Sequence, residues 1–94
     1  MEIDFDPLKN ARNVEERGLS FERVAEFDFN SAVFNLDDRR DYGEARVRAL
    51  GFLGNRLHAL VFVDSPKGIR VISFRKANER EVRGYEQARR QTHG

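Results

Sequence analysis

Between residues 45 and 76 the chain carries three consecutive apolar or alternating runs separated by short turns, a pattern that builds an antiparallel meander. The middle run, Leu57 to Val63, is nearly continuous hydrophobic sequence, as expected of a strand covered on both faces. Gly54 and Asn55 precede it and Asp64 to Gly68 follow it, both turn-forming breaks. In the run before it, Ala45, Val47 and Ala49 alternate with Arg46 and Arg48. The parity then changes at Leu50 and Phe52, which predicts a β-bulge near Gly51. The third run, Ile69 to Phe74, exits through Arg75 and Lys76.

The flanks read as helices and shorter strands. MEIDFDP is a short strand entering a helix, with Asp6 as N-cap and Pro7 at the first helical position, where a missing N–H costs nothing. Leu8, Ala11 and Val14 fall on one face of that helix, and Gly18 suits a left-handed cap after Arg17. Ser20 caps a second short helix, with Leu19 and Val24 as a hydrophobic staple and Phe21, Val24 and Ala25 as its buried stripe. Ser31 to Leu36 has strand character, with Ala32, Phe34 and Leu36 on one face, and DDRRDYG reads as a solvated connection. Asn78 with Glu81 three residues later is a capping-box start for a last helix with Val82, Tyr85 and Ala88 on its apolar side.

The expected order is therefore β-α-α-β-β-β-β-α: an α+β domain whose antiparallel sheet is covered on one face by helices, leaving the other face open. At 94 residues, without a Pro/Gly/Ser-rich break, residues 1–94 form one domain with a modest core and a tail that frays from about residue 90. The absence of cysteine removes disulfides and thiolate metal sites, and makes the cytoplasm the default compartment. Ala59 to Val63, the longest apolar run, is far too short for a membrane span, and the acidic opening is unlike a signal peptide.

The formal net charge is only +1, but it is unevenly spread. Acids outnumber bases up to Glu44; beyond it, Arg46, Arg48, Arg56, Lys67, Arg70, Arg75 and Lys76 begin a clear basic excess in which arginine dominates. A guanidinium grips phosphate or carboxylate through two parallel hydrogen bonds, which an ammonium cannot do. Strand alternation puts Arg46 and Arg48 on one surface, with Arg70 joining from another strand and Arg75 and Lys76 at the strand-to-helix junction. Two readings of this cluster stand: a face of surface ion pairs worth little, or a patch that neutralises a phosphate. RNA can be broken through its own 2′-hydroxyl without a metal if cations stabilise the scissile phosphate and one group relays a proton.

No Walker loop, GxSxG or HExxH motif is present. His58 interrupts the central apolar run, as a satisfied sheet histidine or as a general base, and His93 sits in the tail without a fixed partner. Asp37, Asp38, Asp41 and Glu44 could supply oxygen ligands to Mg²⁺, or could simply be solvated beside Arg39 and Arg40.

Three blocks resemble the BrnT family of toxins from bacterial type II toxin-antitoxin pairs. FDPLKNARNVEERGLSFE is similar to the family's opening through Phe5, Asp6, Lys9, Asn13, Gly18, Phe21 and Glu22. GEARVRALG matches through Glu44, Arg46 and Gly51, and RVISFRKANEREVRGYE through Ile72, Ser73, Arg75, Ala77, Glu79, Arg80 and Tyr85. The chain departs at Arg17, where a His before the glycine is common, and at the Asp64–Gly68 turn, where Lys67 is the lone base.

The resemblance implies a RelE-like ribonuclease fold and metal-independent RNA cleavage that inhibits translation, with no cofactor. It also implies neutralisation by a BrnA-type antitoxin whose DNA-binding dimerisation domain makes all contact with operator DNA. The catalytic residues it suggests are Arg46 and Arg75 on phosphate, supported by Arg56 and Lys76, with Glu44 accepting a proton or orienting Arg46. Arg48, Arg70 and Lys67 are expected to bind RNA or the antitoxin, whose acidic segment would order on docking. A different class of reading is a non-catalytic module that keeps the fold and the antitoxin interface without cleaving RNA.

Overall fold

A computed structural model describes residues 1–38, 41 and 43–93, the side chains of Thr92 and His93 excepted. Along the chain lie β1 (Glu2–Phe5), α1 (Pro7–Arg17), a 3₁₀ helix (Phe21–Glu26), β2 (Val33–Leu36), β3 (Val47–Leu53), β4 (Arg56–Ser65), β5 (Gly68–Lys76) and α2 (Glu79–His93). This is the α+β class and element order expected from the sequence, and it is compatible with a RelE-like arrangement. The helix α2 continues through the segment read as a frayed tail. No helix among the described residues is long and apolar enough to cross a membrane.

One sheet holds all five strands in the order β1-β5-β4-β3-β2. The strands β2 to β5 form the antiparallel meander, but β1 runs parallel to β5, so the sheet is mixed. Gly68 allows this pairing: a Cβ there would stand 2.1 Å from the Glu2 carbonyl oxygen.

The first layer of core covers one sheet face. Ala49, Leu53, Leu60, Phe62, Ile69, Val71 and Phe74 pack against Leu19, Phe21, Val24 and Phe27. Edge-to-face rings tie it together, Phe27 lying 4.9 Å from Phe29 and 6.2 Å from Phe74. The second helix is 3₁₀, with three residues per turn, so Phe21, Val24 and Phe27 share its buried side and Ala25, expected inside, is exposed.

Helix α1 has the expected ends, Asp6 accepting from the Leu8 N–H and Gly18 closing it at φ 64°. Its apolar stripe, however, is not what holds it: Leu8 is 80% and Val14 45% exposed. Hydrogen bonds do so instead. The Asn13 side-chain amide donates to the carbonyls of Leu19 (2.9 Å) and Phe74 (3.0 Å), and Asn10 Oδ1 accepts from the Phe21 N–H at 2.8 Å.

Helices cover both sheet faces, where one face was expected to stay open. Val82 and Tyr85 of α2 pack with Leu57, Val33, Leu50 and Phe52 on the face opposite the first core. Tyr85 meets Phe52 edge-on at 5.6 Å and donates its hydroxyl to the Ser31 carbonyl. This explains the parity change at Leu50 and Phe52 without the bulge expected at Gly51, because the β3–β4 register is unbroken from Val47↔Phe62 to Leu53↔Arg56. The irregularity falls instead between Val61 and Phe62, which pair with Ser73 and Val71 and leave Ile72 out of register. At Gly51 the missing side chain makes room for Phe27, whose Cζ would lie 2.5 Å from a Cβ.

Strand β2 forms one edge, with Phe34 and Leu36 on a common face but exposed. In the connection that follows, Arg39, Arg40 and Tyr42 lie outside the described residues. Asp37 is not solvated as expected: it is buried, and its N–H donates to the Arg46 carbonyl at 2.8 Å.

Candidate functional site

The α2-bearing face of the sheet is only partly covered. Beside the helix lies a basin of about 310 Å³ lined by Asn35, Asp37, Arg46, Arg48, Ala59, Val61, Ile72, Ser73 and Arg75. Strand alternation delivers Asn35, Arg48, Val61 and Ser73 to one row, since Asn35 pairs with Arg48, Arg48 with Val61 and Val61 with Ser73. Arg75 follows from β5, opposite Ala59.

Glu81 organises the basin's arginines. Its two carboxylate oxygens accept from both terminal nitrogens of Arg75, at 2.8 and 2.9 Å, and one lies 3.7 Å from Arg48. The same side chain caps α2: Glu81 Oε1 accepts from the Asn78 N–H while Asn78 Oδ1 accepts from the Glu81 N–H, each at 2.9 Å. The Arg75 hydrogen bonds, with the Asn78 N–H and the charges of Arg75 and Arg48, hold the Glu81 carboxyl below its ordinary 4.5 against the opposing effect of burial. On the other flank, Arg46 stands 3.9 Å from Glu44, which is half exposed.

A second, wider cavity of about 570 Å³ opens on the opposite face, at the end of the sheet where α1 stops. It is lined by Arg17, Gly18, Leu19, Arg23, Leu53, Arg56, His58, Arg75 and Lys76. His58 and Lys76 are cross-strand partners and so project to the same side. The His58 ring rests 5.4 Å from Phe74, and its Nδ1 lies 2.9 Å from the Arg56 carbonyl. Burial pushes the imidazole below its ordinary 6.5, and the charges of Arg56, Lys76 and Arg23 act in the same direction.

The residues expected to act together are therefore divided. Arg46, Arg48 and Arg75 share the basin; Arg56 and Lys76 line the cavity behind it, with Arg75 bordering both. Arg70 pairs with Asp4 of β1 at 3.1 Å, and Lys67 lies in the β4–β5 turn near Glu2 and Asp4. Asp37 and Glu44 flank Arg46 but do not form a ligand set, and no three His, Asp or Glu side chains converge as a metal site among the described residues. His58 is the central-strand histidine noted from the sequence, satisfied at Nδ1 yet facing a cavity.

Sequence reasoning missed Glu81 as a member of the site. Its N3 position in the capping box accounts for its backbone contacts, and nothing local announces that Arg75 and Arg48 will meet it. Arg17 was seen only as a departure from a familiar pattern, whereas it lines the cavity with Arg56 and Lys76.

A small α+β domain thus carries, on one face of its sheet, a basin lined by three arginines, two of them held by one carboxylate. The family model of the ribonuclease toxin BrnT of type II toxin-antitoxin systems matches residues 5–81, and the chain belongs to that family. Its members are toxins with ribonuclease activity, paired with an antitoxin. No curated protein matches the chain.

Proposed function

We infer that the chain cleaves RNA in the cytoplasm without a metal, and that a BrnA-type antitoxin with a DNA-binding dimerisation domain restrains it. Operator DNA is reached only through that partner. The observation that carries this reading is the convergence of Arg46, Arg48 and Arg75 on one basin, with Glu81 fixing two of the three guanidiniums in advance of any ligand. Donors oriented beforehand are what a developing phosphorane charge requires.

In the reaction so envisaged, the ribose 2′-oxygen attacks the adjacent phosphorus, the P–O5′ bond breaks, and a 2′,3′-cyclic phosphate forms. Glu44 takes the 2′-hydroxyl proton or orients Arg46, Arg46 grips the phosphate, and water protonates the departing 5′-oxygen. Arg75, held in its pair with Glu81, gives the basin its second fixed charge, and Arg48 extends the contact along RNA or antitoxin. Arg70 and Lys67 serve binding at the β1 edge.

The test is cleavage of a mixed RNA substrate in EDTA. Arg46→Ala is expected to lose on the order of a hundredfold in rate and to relieve growth arrest on expression. Intact RNA with wild-type protein in EDTA overturns the metal-free reaction. The commitment of Arg75 to Glu81 favours a second reading, a non-catalytic antitoxin-binding module. Growth arrest by wild type, abolished in Arg46→Ala, excludes it.

A further inference from the structure

We propose that the cavity behind the basin is a ribonucleotide-binding site, in which Arg17, Arg56 and Lys76 hold a phosphate and His58 Nε2 accepts a hydrogen bond from the ribose 2′-hydroxyl. This rests on the reading of the chain as an RNA-acting protein and adds to it a second contact, with its own selectivity.

The charge around the cavity is compensated only in part: Arg75 is held by Glu81, but three other cations that line it have no carboxylate partner among the described residues. Of its basic side chains, Arg23 is paired with Glu26 at 3.2 Å, and Arg17 donates to the neutral Asn13. Arg56 and Lys76 have no carboxylate partner among the described residues, and no acid lines the space. Three cations from three elements, α1, β4 and β5, thus face one volume without a counter-charge. Exposed like charges brought together repel unless an anion joins them.

His58 distinguishes among anions. Its Nδ1 faces a carbonyl, which can only accept, so the neutral ring carries its proton on Nδ1 and presents a lone pair at Nε2. That nitrogen has no protein partner among the described residues, and it is not among the polar atoms sealed from solvent. Burial, with the charges of Arg56, Lys76 and Arg23, keeps the ring neutral. A lone pair set among cations repels a bare anion at that point but suits an anion that carries a hydroxyl donor beside it. An RNA backbone offers that pair of groups; a deoxyribose strand lacks the hydroxyl, and an acidic peptide segment offers carboxylates with no donor in a fixed place. Arg75 borders both spaces.

The experiment follows the His58 imidazole nitrogens by NMR in the wild-type protein at pH 7.5 or so, titrated with uridine 3′-monophosphate, its 2′-deoxy counterpart, inorganic phosphate and a short poly-glutamate peptide. The ribonucleotide is expected to shift Nε2 and to bind about tenfold more tightly than the deoxy form, the loss that follows when a site's polar group goes unpaired. Arg56→Ala and Lys76→Ala, both at exposed positions, should each weaken it severalfold while leaving the free His58 signal in place. Equal affinity for ribo- and deoxyribonucleotide, or for inorganic phosphate, overturns the proposal. So does a shift produced by the peptide alone, which would make the cavity an antitoxin-docking surface. Cleavage measured on the same samples separates the two readings: no cleavage with a ribose-selective Nε2 shift removes the ribonuclease reading only, and cleavage lost in Arg46→Ala with no shift in wild type removes this one only.

Discussion

Arg75 and Glu81 meet as a two-pronged ion pair, 2.8 and 2.9 Å long, that joins the last strand to the first turn of the last helix. Glu81 is a cap, an arginine clamp and a partner of Arg48 at once, so its loss leaves three groups short. Glu81→Gln is expected to lower stability by about 1.5–3 kcal/mol, the usual worth of a hydrogen bond to a charged group, read as a shift in denaturant midpoint. Arg75→Lys should not restore what Arg75→Ala loses, because an ammonium cannot form the fork. Full rescue by lysine would show that only the charge matters.

The pH profile should have two acid limbs. His58 is held neutral in the folded chain, so its contribution is complete above its ordinary 6.5 and declines as pH falls below that value toward its lowered folded pKa. Glu81 is held ionised; its contribution is complete above its ordinary 4.5 and declines as pH falls through its lowered folded pKa. His58→Gln should flatten the upper limb and Glu81→Gln the lower, by chemical denaturation at half-unit intervals. An upper limb unchanged in His58→Gln would assign it to another group.

Two glycines should respond in opposite senses to alanine. At Gly51 the added Cβ meets Phe27 at 2.5 Å and Ala32 at 3.0 Å, an overpacking expected to cost about 1–3 kcal/mol. Gly84 lies inside α2 with nothing near its Cβ direction, and alanine there should stabilise by about 0.8–1 kcal/mol through helix propensity. Thermal melting of both variants decides the matter, and a neutral Gly51→Ala would mean that Phe27 can yield.

Asn13→Ala should detach α1 more than truncating any of its apolar residues does. The amide satisfies two carbonyls, so the expected loss is roughly 1–3 kcal/mol, against little for Leu8→Ala at 80% exposure. Hydrogen exchange across α1 would report it, and equal protection in the two variants would show that other contacts hold the helix.

Much of the fold was legible because it is written locally. The Asp6–Pro7 start, the Gly18 stop and the Asn78–Glu81 box each need only neighbours in sequence, and all three stand in the structure. What failed depended on the third dimension. Leu50 and Phe52 look out of phase until α2 is laid on their side of the sheet, and Leu8 and Val14 look like core until two asparagines take over the attachment. The candidate site was half legible: strand parity put Arg46 and Arg48 together, but the same alternation placed Arg75 and Lys76, adjacent in sequence, on opposite faces. Glu81 could not be found without knowing where Arg75 points.

The parallel pairing of β1 with β5 gives the molecule an order of assembly. Asp4 and Arg70 are 66 positions apart, and β5 is the only strand that pairs with β1 among the described residues. The hairpins β3–β4 and β4–β5 close short loops, whereas β1 must wait for nearly the whole chain before its loop can close. Truncating Ile3 is expected to speed unfolding and leave the refolding rate unchanged, while truncating Leu60 slows refolding, as stopped-flow kinetics would show. Of the five strands the earliest in sequence is thus expected to be the last placed, so a toxin built this way completes its sheet only after β5 has been made.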